Sequence, residues 1–280
     1  VKNTTEALNK LSYRLIKSNM DVVLSTSMEH HSNDLPWRSK CIVDYVDINN
    51  DGTLDISDLN NKIIKYKGRL KLITVTAASN VTGAINDIHH IARIAHEAGA
   101  LIVVDGAEYV ARKETGMIGK NPLEDIDYLV FSAHKMYAPF GIGAIIGRKD
   151  LLDSGEPEYS GGGTIKLVTP SKVIWDDVPM RDEAGTPNVL GVISLMASIN
   201  MLKALDLDEL YLEEKNLTQY LMHNLAQLPV KIYGPMNANN KVGIVSFTIP
   251  RLRHSYVAET LSSNFGIAVR NGCFCAHPYI

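Results

Sequence analysis

A lysine closes the stretch Tyr128-Leu129-Val130-Phe131-Ser132-Ala133-His134-Lys135, directly after a turn of small residues that ends an apolar run. A lysine placed there by the backbone can form an imine with a carbonyl, provided burial keeps part of it deprotonated. Thirty positions upstream, Ile102-Val103-Val104-Asp105 ends a second apolar run in a carboxylate. Two strands that deliver a lysine and an aspartate to one edge of a sheet suggest pyridoxal phosphate. That cofactor needs a Schiff-base lysine and an acid against its pyridine nitrogen. Ser-x-His-Lys alone is too short to specify the chemistry.

Other runs bear on the same question. Asn3-Thr4-Thr5-Glu6 fits a capping box, Asn3 capping and Glu6 reaching back. The N–H groups of Thr4 and Thr5 at such a helix start could instead seat a phosphate. His30-His31-Ser32-Asn33 follows a strand. Paired imidazoles can ligate metal, yet no third or fourth ligand follows at helical spacing, which disfavours zinc. An imidazole lying on a planar cofactor ring fits better. Cys273-Phe274-Cys275-Ala276-His277 is crowded with soft ligands, but zinc motifs space their cysteines more widely and supply a second pair, absent here. A reactive thiol in a polar loop after Arg270 is the sharper reading, because a nearby cation favours thiolate. Asp47-Ile48-Asn49-Asn50-Asp51-Gly52-Thr53-Leu54-Asp55, with Asp58 in twelfth place, has EF-hand spacing. The residues before it read as a strand, however, and the last ligand would be a short aspartate. A strand, an Asp-Gly turn and a helix capped by Ser57 is the simpler expectation, so no metal site is assigned.

The elements that must position these residues are strand-length apolar runs separated by helical stretches. The strand candidates are Val22–Leu24, Cys41–Val46, Leu70–Val75, Leu101–Val104, Tyr128–Phe131 and Gly143–Ile146. They are rich in Val and Ile and mostly do not alternate, as expected for strands buried on both faces. Between two of them, Asn86 or Asp87 can cap a helix with Ile88, Ile91, Ala92 and Ala95 as its inner stripe, and Gly99 ends it. The pattern predicts an α/β fold, a mainly parallel sheet with helices on both faces. Ligands of such sheets bind beyond the carboxyl ends of the strands. His30, His31, Asn80, Asp105, His134 and Lys135 all follow strands there. Beyond Pro187 a long helical region runs to about 227. Strands at Val230–Tyr233 and Val242–Ile249, a helix near Tyr256–Ser263 and a last strand at Ile267–Val269 come after it.

At 280 residues the chain exceeds the usual single-domain size, so one large domain plus a smaller piece is expected. A net charge of −3 gives no electrostatic reason to expect nucleic acid or an anionic membrane as partner. No apolar run approaches the length of a membrane span, and no signal-peptide pattern opens the chain. Three cysteines, two of them crowded, form no disulfide framework and point to a reducing cytoplasm. The chain opens at Val1 in a helix-start pattern with no preceding strand, as a fragment would.

Seven ordered motifs along essentially the whole chain resemble class V aminotransferase-type pyridoxal-phosphate enzymes. They are Met28-Glu29-His30-His31-Ser32-Asn33, Ser79-Asn80-Val81-Thr82-Gly83, Val103-Val104-Asp105-Gly106-Ala107, Phe131-Ser132-Ala133-His134-Lys135, Gly161-Gly162-Gly163, Glu183-Ala184-Gly185-Thr186-Pro187-Asn188 and Gly266-Ile267-Ala268-Val269-Arg270. Within that class the chain is similar to the SufS-like (group II) cysteine desulfurases and selenocysteine lyases. The resemblance implies fold type I, with a cofactor-binding large domain over 1–205. A linking helix and partial C-terminal αβ domain would cover 206–280, and segments at both ends would be missing. It implies a homodimer with active sites at the subunit boundary. Lys135 would carry the cofactor as a Schiff base, Asp105 would hold the pyridine nitrogen protonated, and His30 would stack on the ring. Thr4, Thr5, Ser132 and His134 would hold the phosphate, with Thr186 reaching it from the partner subunit. Asn80 would contact cofactor and substrate, and Arg270 would fork onto the substrate carboxylate. Cys275 falls where the desulfurases keep the nucleophile that takes sulfur from L-cysteine as a persulfide, leaving alanine; a sulfur-acceptor protein would follow.

Two departures from the family pattern stand out. Glu108 replaces the glutamine that donates to the cofactor's phenolic oxygen; an ionised carboxylate only accepts, so it must turn away or stay protonated. Asn271-Gly272-Cys273-Phe274 replaces the usual residues before the cysteine and adds a second thiol. The same class also implies other reactions: C–S β-lyase, selenocysteine lyase and aminotransferase. A truncated, non-catalytic scaffold is the reading from another class.

Overall fold

A computed structural model describes residues 1–153 and 155–280. Six strands form its main sheet: β1 (Val22–Thr26), β2 (Ile42–Val46), β3 (Leu70–Thr76), β4 (Leu101–Asp105), β5 (Tyr128–Ser132) and β6 (Gly143–Gly147). Their order is β2-β1-β3-β4-β5-β6. The first five are mutually parallel, and β6 closes one edge antiparallel to β5. All six expected strands are present, most of them a residue or two longer. Every residue of β1 and β5 is buried, which is why these runs read as continuous apolar stretches rather than alternating ones.

The pleat splits the core into two layers. Val22, Leu24, Ile73, Val75, Ile102 and Val104 pack into one cluster with Ile88, Ile91, Ala92 and Ala95 of helix α4 (Ile88–Glu97). Their alternate neighbours Val23, Leu72 and Val103 pack on the opposite face with Ala7, Leu8, Leu11 and Leu15 of helix α1 (Thr4–Leu15). Asp87 caps α4 by accepting from the His90 N–H, and Gly99 follows its end at φ +72°. Between them, helices α2 (Leu35–Arg38) and α3 (Ile56–Lys65) flank β2. The cap of α3 is Asp55, which accepts from the N–H groups of Ser57 and Asp58, rather than Ser57 itself. An aspartate two residues earlier has the reach to satisfy two of the free donors at once.

The second half departs from expectation in four places, one of them the strand expected over Val242–Ile249, which is only three residues long. A short helix α5 (Lys149–Leu152) leads to a hairpin, β7 (Ile165–Thr169) and β8 (Lys172–Trp175), that the sequence pattern did not reveal. Most of its residues are exposed, so no buried stripe marks it. The long helical region divides into α6 (Val189–Ala204) and α7 (Leu207–Leu225), bent by 76° at the break, where Asp206 takes φ +56°. No single helix among the described residues is long and apolar enough to cross a membrane. A two-stranded antiparallel sheet, β9 (Lys231–Tyr233) with β10 (Ser246–Thr248), and helix α8 (His254–Phe265) follow. Ile267–Val269 is not a strand: Ile267 and Val269 are exposed, and the segment joins none of the three sheets. An apolar alternation makes a strand only when a neighbouring edge accepts its hydrogen bonds.

Candidate active site

Because β1, β3, β4 and β5 run parallel, the segments leaving their C-terminal ends share one edge of the sheet. The backbone ties that edge together: Ala77 N–H donates to the Asp105 carbonyl at 2.8 Å, and Thr76 N–H donates to Glu29 Oε1 at 2.9 Å. Asp105 ends β4 buried, its Oδ1 accepting from the Ala107 N–H at 2.9 Å. Burial pushes its carboxyl up to about 6, against the Ala107 N–H and the Lys135 charge. Lys135 sits on the single 3₁₀ turn after β5 and donates from Nζ to Glu108 Oε1 at 2.6 Å. Glu108 Oε2 lies 3.4 Å from Arg112 Nη1. The departure at position 108 is thus met by two basic side chains, one at each carboxylate oxygen.

His30, on the loop after β1, is near enough for the Lys135 and Glu108 charges to act on it. Its Nδ1 accepts from the Ser32 N–H at 3.1 Å and lies 2.9 Å from Ser32 Oγ. A nitrogen that accepts a backbone N–H carries no proton, so the ring proton belongs on Nε2. Burial lowers the pKa of His30, as do the Lys135, His31 and Arg270 charges, against Glu108. His30 is therefore a neutral imidazole at pH 7, with its proton placed by geometry.

A row of hydroxyls joins the start of α1 to β5 and His30. Ser132 Oγ accepts from the Thr4 N–H at 2.8 Å and also lies 2.8 Å from Thr4 Oγ1. Thr5 Oγ1 lies 2.7 Å from Ser32 Oγ. The Thr4 N–H expected to be free for a phosphate is thus occupied by Ser132, while Asn3 caps α1 through the Glu6 N–H and the Glu6 side chain reaches back to the Lys2 N–H rather than to that of Asn3, so only half of the expected capping box forms. His134 is exposed on the turn that carries Lys135, and Thr186 is exposed just before α6.

The Cys273–Tyr279 segment docks on the same edge. Asn80 Nδ2 donates to the Phe274 carbonyl at 2.8 Å, and His31 N–H donates to the Cys275 carbonyl at 2.7 Å. The His277 ring stacks on His31 with centroids 4.8 Å apart and planes 10° apart. Thr82 Oγ1 meets Tyr279 Oη at 3.0 Å. Cys275 is exposed on this docked segment. Arg270, also exposed, is near enough for its charge to act on His30. The structure therefore gathers Lys135, Glu108, Asp105 and His30, and docks the loop that carries Cys275 against Asn80 and His31.

Two parts of the site escaped the sequence pattern. One is the His31–His277 pair, whose partners are too far apart in sequence to be matched by spacing. The other is Glu29, buried beneath His30, which accepts from Thr26 Oγ1 at 2.6 Å, Asn33 Nδ2 at 2.6 Å and the Thr76 N–H. Burial pushes its carboxyl from 4.5 up to about 8, against these three donors. A carboxyl raised on folding contributes stability below its unfolded pKa and loses it as pH rises through the folded value. The melting temperature of the wild type is therefore expected to fall, relative to Glu29→Gln, between about pH 4.5 and pH 8. Thermal melts across that range check it; a constant difference between the two proteins would contradict the assignment.

The Asp47–Asp58 loop uses its carboxylates locally. Asp51 Oδ1 accepts from the Thr53 N–H and hydroxyl, Asp55 caps α3, and Asp58 pairs with Lys62 at 2.6 Å. Among the described residues no group of three His, Cys, Asp or Glu side chains is placed to hold a metal ion.

The donor set at the sheet edge fits pyridoxal phosphate. The buried Asp105 carboxyl, held by the Ala107 N–H, suits a ring N–H. Lys135 offers a primary amine nearby, His30 a neutral flat ring, and Ser132, Thr4 and Thr5 a hydroxyl cluster at a helix N-terminus.

Comparison with known proteins agrees. The Aminotransferase class-V family model matches residues 1–280. A cysteine desulfurase of Escherichia coli O8 (strain IAI1) is 34% identical over 288 residues, spanning 99% of this chain and 68% of that protein. The apo structure of a cysteine desulfurase from Thermococcus onnurineus NA1 superposes with a TM-score of 0.91 at 35% identity, covering 99% of this chain and 69% of that one. The cysteine desulfurase CsdA (S-sulfonic acid) from Escherichia coli gives a TM-score of 0.89 at 28% identity, again over 99% and 69% of the two chains.

Proposed function

The chain belongs to the class-V aminotransferase family, and on that premise we propose that it is a pyridoxal-phosphate-dependent cysteine desulfurase working through Lys135 and Cys275. The observation that carries this reading is the Asp105–Lys135–Glu108–His30 cluster at the C-terminal edge of a fold type I sheet, with Cys275 on the loop docked against it. When bound, pyridoxal phosphate supplies an electrophilic aldehyde and an electron sink for negative charge at the substrate Cα.

The residues of this chain do the rest. Lys135 Nζ is the attachment point and carries protons to and from the substrate Cα. Glu108 Oε1, 2.6 Å away, orients the Nζ amine. Asp105 would hold the pyridine nitrogen in its protonated form, and its burial would shield that contact from water. His30 would stack on the ring, its Nδ1 already engaged by the Ser32 N–H. Ser132, Thr4, Thr5 and His134 hold the phosphate with Thr186 of the partner subunit. Arg270 forks onto the substrate carboxylate while Asn80 positions both cofactor and substrate. Cys275 Sγ attacks the substrate sulfur: an S–S bond forms, the Cβ–S bond breaks, and alanine leaves once Cβ is protonated.

The homodimer belongs to this proposal. Val189, Leu190, Val192, Ile193 and Met196 line α6 more than half exposed, an apolar area that a second copy would cover. So does the division into a large domain over 1–205 and a smaller unit over 206–280, supported by the break at Asp206. The three cysteines are free thiols, in keeping with a reducing cytoplasm where an acceptor protein would collect the sulfur.

Product analysis with L-cysteine tests the reading. Alanine with an equivalent of sulfur is expected. Pyruvate and ammonia would make the enzyme a β-lyase, and no turnover by protein carrying its cofactor would remove the desulfurase assignment.

A further inference from the structure

Cys273 and Cys275 occupy the first and third positions of a tight turn. Ala276 N–H donates to the Cys273 carbonyl at 2.8 Å, and the two central residues, Phe274 and Cys275, take φ +49° and +55°. Those angles mark a type I′ turn, which Gly, Asn and Asp normally occupy; Phe and Cys hold it only against strain. Three fixed bonds offset that strain. The Phe274 carbonyl accepts from Asn80, the Cys275 carbonyl from His31, and the Cys273 carbonyl closes the turn itself. Both thiols are exposed. Two residues of chain can separate their Cα atoms by at most about 7 Å, and the turn shortens that. A disulfide needs roughly 4.4–6.8 Å. The third cysteine differs: Cys41 donates from Sγ to the Trp37 carbonyl at 3.4 Å, and burial pushes its thiol up to about 11.

We propose that Cys273 is a resolving thiol for the persulfide on Cys275, an assignment that rests on Cys275 receiving the substrate's sulfur. The Cys273 thiolate attacks Cys275 Sγ. A Cys273–Cys275 bond forms, the bond from Cys275 Sγ to the outer sulfur breaks, and that sulfur leaves with the electron pair as hydrosulfide. The two thiols are oxidised to a disulfide and the outer sulfur is reduced, so the step needs no external oxidant. A small-molecule or protein dithiol then reduces the bridge and restores both thiols. A disulfide confined to a tight exposed turn is easily reduced, the character of catalytic rather than structural bridges. Pre-organisation by Asn80 and His31 makes the step intramolecular and fast.

The test uses the cofactor-loaded enzyme, given L-cysteine without reductant, then denatured, alkylated and digested with trypsin. The peptide beginning at Asn271 is weighed, and hydrosulfide is measured. In the wild type this peptide is expected to be lighter by two hydrogen atoms and to carry no alkyl group, with one hydrosulfide released per subunit. In Cys273→Ser the same peptide is expected to gain one sulfur at Cys275, with hydrosulfide release lost until a dithiol is added. A wild-type peptide holding a stable persulfide at Cys275 beside an alkylated Cys273 would overturn the resolving role and leave the desulfurase reading intact. No sulfur gained on Cys275 in Cys273→Ser, and no bridge in the wild type, would overturn both.

Discussion

Replacing Lys135 with alanine is expected to abolish turnover of L-cysteine, by about 10³-fold or more, without unfolding the protein. Lys135 is half-buried on the turn after β5, and its ammonium donates to Glu108. Glu108 keeps Arg112 as a partner in the variant, so no buried charge is stranded and the melting temperature should shift little. What disappears is the primary amine that the strand end brings beside Asp105. Cofactor added to the variant should remain removable by dialysis and unreactive to borohydride at this position. Steady-state kinetics with L-cysteine and a thermal melt check both halves. A variant that keeps a tenth of its activity would assign the attachment elsewhere.

Cys275→Ser has the second largest expected effect, and it separates the cofactor's chemistry from the sulfur's. Serine preserves the backbone that His31 and Asn80 hold, and with it the turn. Its hydroxyl cannot take a sulfur atom from the substrate. Desulfuration of L-cysteine should fall by about 10²-fold or more while the coloured, borohydride-reducible cofactor stays in place. A β-lyase would be almost unaffected by the same change. Measuring alanine formation next to the absorbance of the bound cofactor distinguishes these outcomes.

The site was legible in the sequence where single strands place single residues. Asp105 and Lys135 each end an apolar run, and the parallel sheet that buries those runs on both faces also brings their ends together. His30 and Asn80 were legible for the same reason. What could not be read depends on contacts between distant segments. The His31–His277 stack is one case, and the Cys275 carbonyl on the His31 N–H is another. Glu29 lay in plain sight beside His30, but only burial and three converging donors distinguish it from a surface glutamate.

Errors in the fold have similar causes. The break between α6 and α7 falls at Asp206, where neither glycine nor proline announces it. The β7–β8 hairpin is mostly exposed and so carries no hydrophobic signal. Ile267–Val269 carries that signal without a strand beside it. At position 108 the chemistry was legible but the neighbours were not. A glutamate that cannot donate to a phenolic oxygen is stabilised here by Lys135 and Arg112, each supplied by the fold within reach of one carboxylate oxygen.

The central claim is that the fold sets the Lys135 amine beside the buried Asp105 acid to carry pyridoxal phosphate. Borohydride reduction of the protein loaded with that cofactor, followed by peptide mapping, tests it most directly. The expected result is one cofactor per chain, fixed to the peptide that contains Lys135, with loading lost in Asp105→Ala. A label on another lysine, or protein that takes up no reducible cofactor, would contradict the account.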